Sequence, residues 1–291
     1  MSDRKVPARS PFVQLESLEQ RRLLAASPVY APHSNVRGES LQEYAADFWK
    51  GVFGTPVYAP DGKTIINPQF DAPLNDGDIV NVNHAYPTLN GKAFNLAGSF
   101  FGSEINRTVS VPTGTPIFVP ILNDVWSNPD TADGPNFDTV PGHYTPAQLA
   151  TLAVQQTNLA TDLSASLDGK PITDIADHRE PSLRFTYTEP AQFGVHQVFF
   201  GETLTDPVPA AADGYYIMLK PLSPGQHVLH FTGGFPASAP PLLGAFTADV
   251  TYTINVVPAG KYKPSPATIH GNASNFSSQP IRDHNLLADL N

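Results

Sequence analysis

Asp124, Asp130, Asp133 and Asp138 crowd into the stretch NDVWSNPDTADGPNFD together with Asn128 and Asn136. Hard oxygens at that density are what Ca²⁺ takes. The stretch does not have the register of an EF-hand. With Gly134 at the sixth loop position, Pro129 and Val140 fall where the first and last ligands belong. The expectation is therefore a weak, structural calcium site, while the same composition also describes a solvated Asp/Asn/Pro turn cluster. His143 follows closely. With Asp124, Asp130 and Asp133 it supplies the donors of a second chemistry, metal-assisted hydrolysis of a polysaccharide or ester.

Aromatic residues stand close to these carboxylates. Trp126 lies inside the acidic stretch and Tyr215-Tyr216 open an alternating segment further on. Exposed rings beside carboxylates can stack on the apolar faces of pyranoses, which predicts a carbohydrate ligand at Trp126, Tyr215 and Tyr216. Buried Trp and Tyr also serve as anchors with a polar tip. The histidines argue less for a site. His227 and His230 are three apart in a predicted strand and point to opposite faces. His196 and Glu202 face the same way as a strand but would lie about 20 Å apart at ~3.3 Å per residue.

None of G-x-S-x-G, H-E-x-x-H, G-x-x-x-x-G-K-[ST] or G-x-G-x-x-G occurs. With no cysteine in the chain, thiolate nucleophiles, disulfides and Cys-ligated metals are excluded. A formal charge of −10 argues against a phosphate-backbone binder, so no nucleic-acid partner is expected. No apolar run reaches the ~18 residues of a transmembrane span. The reading is a non-catalytic extracellular or cell-surface module for adhesion, scaffolding or ligand binding, with the hydrolase as the alternative.

The elements that must position these residues are short, because 30 prolines and 21 glycines in 291 residues interrupt helices and central strands alike. Leu41, Tyr44, Ala45, Phe48, Trp49 and Val52 share one helical face, with Ser40 and Glu43 as a capping box. A second helix is announced by Thr145, Pro146 and Gln148, and its apolar positions extend through Leu149, Leu152, Ala153, Leu159 and Ala160 to Leu163. Strands are predicted over about 93–101, 107–111 and 116–122, the last at an edge or a bulge because of Pro116 and Pro120. Asp168-Gly169 suits a two-residue hairpin turn. Two strands flank Ser223-Pro224-Gly225, and residues 246–257 alternate strictly between apolar and polar. The predicted class is mainly β, an antiparallel β-sandwich of jelly-roll or Ig-like type with two accessory amphipathic helices.

Residues 1–27 differ in charge from the rest, with Arg4, Lys5, Arg9, Arg21 and Arg22 against Asp3, Glu16 and Glu19. The run Leu18-Glu19-Gln20-Arg21-Arg22-Leu23-Leu24, followed by Ala25-Ala26, resembles the LEPR-XLL N-terminal signature of bacterial exported proteins, with Gln20 where that signature has Pro. The resemblance implies export to the extracellular space, periplasm or cell surface. The stretch from Phe94 to Gly102, the block Arg107 to Asn123, LDGKPI, DGYYIMLKPLSPGQHVLHF and DVTYTINV resemble an uncharacterised family of exported bacterial and archaeal proteins, which implies no activity. The resulting division is an export segment at 1–27, a linker at 28–38, a β-sandwich domain at 39–257 and an irregular polar tail at 258–291.

Overall fold

A computed structural model describes residues 27–70, 79–82, 85–86, 91–98, 100, 104–127, 144–236, 245–262 and 267–270. Residues 1–26 of the predicted export segment, most of the acidic stretch and most of the tail lie outside the described residues. In chain order the elements are β1 (Asn35–Val36), β2 (Glu39–Ser40), α1 (Leu41–Gly54), β3 (Thr64–Ile65), β4 (Ile79–Val82), β5 (Ala85–Tyr86), β6 (Phe94–Leu96), β7 (Glu104–Pro112) and β8 (Ile117–Ser127). They continue with α2 (Pro146–Thr157), β9 (Thr161–Leu167), β10 (Lys170–Pro171), β11 (Arg179–Pro181), β12 (Phe185–Tyr187), α3 (Val195–Phe200), β13 (Val208–Leu219), β14 (Gly225–Phe235), β15 (Phe246–Val257) and β16 (Ala267–His270).

The chain is mainly β, with several antiparallel sheets. One sheet has the order β10-β9-β14-β15-β7 and another the order β11-β13-β8-β6-β5, with β12 also on β13. Among the described residues three pairings are parallel: β7 with β15, β6 with β8, and β3 with β4. The layering follows from how β8 and β13 divide their side chains. Ile117, Val119, Ile217 and Leu219 join a core with Val109, Leu229, Phe231, Val250, Tyr252 and Ile254 of the five-stranded sheet. Phe118, Tyr216 and Met218 point the other way, into a second core with Tyr44, Phe48, Trp49 and Val52 of α1. The six-stranded sheet is therefore the middle layer. Each large side chain buried in these cores is worth about 1.5–3 kcal/mol, and β8 and β13 collect that on both faces.

The local signals for α1 hold. Ser40 Oγ accepts from the Glu43 amide while the Glu43 carboxylate accepts from the Ser40 amide. The same reciprocal pair starts α2 at Thr145 and Gln148, with Pro146 in the first turn. However, α2 stops at Thr157, and Leu159, Ala160 and Leu163 do not extend it as their spacing predicts. From Thr161 the side chains alternate at period two, and β14 pairs with them, so the cross-strand ladder takes the segment from the helix. Asp168 and Gly169 both have positive φ, 53° and 71°, the conformation a tight two-residue hairpin requires.

Pro120 does not push β8 to an edge. The strand is central, and the irregularity appears as a register shift opposite Tyr215 and Tyr216, which accommodates the missing amide donor. Residues expected as linker are built in: Val29 bridges Leu219, and the Tyr30 amide donates to the Met218 carbonyl at 2.9 Å. The tail is not wholly irregular either, since β16 pairs antiparallel with β4.

Candidate functional site

Of the predicted calcium ligands, Asp124 is described, and Asp130, Asp133 and Asp138 lie outside the described residues, as do Asn128, Asn136 and His143. Asp124 stands near the end of β8, half-buried, as the cross-strand partner of Asp213 on β13. Trp126 Nε1 donates to Asp124 Oδ2 at 2.7 Å. Burial pushes the Asp124 carboxyl up to about 7, with the Asp213 charge acting the same way against the Trp126 and Val125 donors. Asp213 is more deeply buried and meets Arg179 Nε at 2.7 Å. Burial raises its pKa as well, against the opposing pull of Arg179. The guanidinium also reaches Asn158 Oδ1 at 2.7 Å and the Val154 carbonyl at 3.0 Å, so it ties the end of α2 to the sheet. Among the described residues no three His, Asp or Glu side chains converge as a metal-binding group.

The predicted sugar platform is not assembled. Tyr216 is fully buried and stacks on Phe118 at 5.3 Å between ring centroids. Tyr215, on the opposite face, is half-buried against the inter-sheet core, and the half-buried Trp126 gives its indole N–H to Asp124. The reason is the middle position of β13, which leaves the strand no open face for either ring to present.

His196, His227 and His230 each have a carboxylate, and never the same one. His230 Nε2 lies 2.8 Å from Asp249 Oδ1. His227 Nδ1 lies 2.8 Å from Asp168 Oδ2, and its Nε2 lies 3.0 Å from the Ser223 carbonyl and 3.3 Å from Ser223 Oγ. His196 is buried, with Nδ1 2.6 Å from Glu189 Oε1. Its neighbour Glu202 is brought close by α3 and the left-handed Gly201, the Glu202 amide reaching the His196 carbonyl at 3.3 Å. The strand reading that placed these two far apart missed this short helix. The VHQVFFG run has a glycine stop, the one local signal that could have found it. Arg107, also buried, donates from Nη1 to the Ala97 and Gly98 carbonyls and to the Tyr252 hydroxyl at 2.7–2.9 Å, holding β7 to the segment after β6. These groups hold segments together.

The outer face of the five-stranded sheet is different. Cross-strand registers align four rows: Ser164, Thr232, Asp249 and Glu104; Ser166, His230, Thr251 and Asn106; Val228, Thr253 and Thr108; and Gln226, Asn255 and Ser110. Every one of these side chains is exposed or half-exposed. Val228 is the single apolar member, 42% exposed. Ser164 Oγ and Thr232 Oγ1 lie 2.8 Å apart, and Gln226 Nε2 donates to Asn255 Oδ1 at 3.3 Å. No sequence motif marks this face, because its rows are contributed by four separate strands.

No family model matches the chain, and no curated protein matches it. A solved structure, that of PbICP-C in complex with falcipain-2, is similar at 12% identity over 57% of this chain and 100% of the matched one, with a TM-score of 0.20. That likeness is too slight to carry a fold or a function across.

Proposed function

We propose that this chain is an exported, non-catalytic binding module of the cell surface or extracellular space, with an Ig-like arrangement of its two main sheets. The order β11-β13-β8-β6 supports the arrangement, since it follows the D-E-B-A order of one immunoglobulin sheet. The order β9-β14-β15 likewise follows C-F-G of the other. The parallel run of β6 beside β8 departs from that plan. Export is supported by the resemblance of residues 18–24 to the LEPR-XLL signature.

The observation that carries the functional reading is the open, four-strand polar face. Elsewhere Arg107, Arg179 and His196 pin one segment to another, whereas this face keeps Thr108, Ser110, Thr251 and Thr253 exposed or half-exposed. Rigid sheets that present polar groups without a cleft suit binding better than chemistry. The test is fractionation of the producing cells with protease shaving, together with a pull-down of purified protein on intact cells and on their extracellular matrix. The reading expects protease-accessible protein and retention on cells or matrix. Protein confined to the cytoplasm, or no retention on either material, overturns it.

A further inference from the structure

We infer that the open face of the five-stranded sheet takes a neutral, polyhydroxylated polymer, a polysaccharide without acidic groups. This inference rests on the reading of the chain as a binding module and names what that module holds. The first argument is charge. The chain carries −10 overall, and the rows of this face contain no Lys or Arg; Arg107 of β7 is turned inward and buried. An anionic polymer would meet no fixed cation here and would be repelled by the whole molecule. The two carboxylates of the face, Glu104 and Asp249, share one end row, and His230 lies 2.8 Å from Asp249. The remaining three rows are Ser, Thr, Asn and Gln with His230 and Val228.

The second argument is residue type. A protein partner is normally anchored by Trp, Tyr or Arg in a desolvated pocket, and none of these stands in the rows. A hydroxyl both donates and accepts, so rows of Thr251, Thr253, Thr108 and Ser110 match a partner whose surface is itself hydroxyl. Neighbouring strands lie ~4.8 Å apart and same-face residues recur every two positions, which gives a lattice of such groups on a rigid support. Bonds within the sheet fix side chains at its two end rows, Ser164 to Thr232, Thr232 to the Asp162 carbonyl and Gln226 to Asn255, which lowers the ordering cost of binding there, while Thr251, Thr253, Thr108 and Ser110 stay exposed or half-exposed. Individually weak contacts on a polymer add through multivalency, so short oligosaccharides bind far less well than long chains.

The test is affinity electrophoresis of the full chain in native gels containing dextran, hydroxyethylcellulose, galactomannan or soluble starch, with alginate as the acidic control. The variant Thr108→Val/Thr251→Val/Thr253→Val removes the central hydroxyls and keeps β-branched side chains, so strand propensity is preserved. Asn106→Ala/Ser110→Ala/Ser166→Ala is a second variant at the flanks, and circular dichroism checks both folds. The expected result is retardation by at least one neutral polymer, weakened roughly tenfold or more in either folded variant, with no retardation by alginate. Retardation by alginate alone overturns the inference. So does retardation that both folded variants retain in full. Retention on intact cells without retardation in any neutral gel overturns this ligand class and leaves the binding-module reading standing.

Discussion

Asp124 and Asp213 are cross-strand partners on β8 and β13, and Arg179 lies against Asp213 while Asp124 has an indole N–H. The unequal neighbours set a pH dependence. The Asp124 pKa rises on folding from 3.8 to about 7, so the native state binds the proton more tightly than the unfolded chain. The contribution of Asp124 to stability therefore falls as pH rises from about 4 to about 7 and is flat beyond that window. Asp124→Asn is expected to raise Tm at pH 8 by more than at pH 5, with about 2–4 °C per kcal/mol gained. Thermal melts of both proteins across that range check it, and an equal shift at both pH values would contradict it.

Arg179 holds three acceptors at once, on β13, at Asn158 and at the Val154 carbonyl. Arg179→Ala leaves a buried carboxylate at Asp213 and is expected to cost about 3 kcal/mol, near the low end for breaking a buried pair, because the guanidinium side chain keeps 27% of its exposure. Arg179→Lys is expected to recover less than half, since an ammonium cannot reproduce the planar fork. Urea unfolding of the two variants measures both.

His227 joins two turns. Asp168 accepts from His227 Nδ1 and also, through Oδ1, from the Val228 amide at 2.9 Å. Burial lowers the imidazole pKa, but the Asp168 and Ser223 acceptors outweigh it and the net shift is upward. A raised folded pKa means stability that is fully present below about 6.5, the unfolded value, and lost as pH rises through the folded value. NMR titration should place the His227 pKa above that of a free imidazole, and Asp168→Asn should bring it down. A His227 pKa below the unfolded value would refute the charged clamp.

Gly214 is held by a close approach of β13 to β8. A Cβ added there would stand 2.7 Å from Asn123 Cα and from the Leu122 carbonyl oxygen. Both are backbone atoms in the central sheet and neither can swing aside. Gly214→Ala is expected to cost about 1–3 kcal/mol through strand displacement, visible as a lower urea midpoint with an unchanged slope.

Local chemistry alone wrote several parts of this protein. The capping pairs Ser40/Glu43 and Thr145/Gln148 start their helices, Asp168-Gly169 turns its hairpin, and the alternation of residues 246–257 puts one face of β15 in the core and one in water. Each depends on neighbours within a few residues, so the sequence carries it entire. Other features depend on what arrives from far along the chain. The β-like alternation from Thr161 prevails over the helical spacing of Leu159, Ala160 and Leu163 once β14 supplies a ladder. Tyr216, read as a sugar platform, is buried because α1 closes over the middle sheet. The rows that join Thr108 to Thr253 and Asn106 to Thr251 exist only through the parallel pairing of β7 with β15, across 145 positions of sequence. Periodicity tells which side of a strand a residue takes, but the strand beside it is chosen by long-range burial and hydrogen bonding, so tertiary structure alone assembled this polar face.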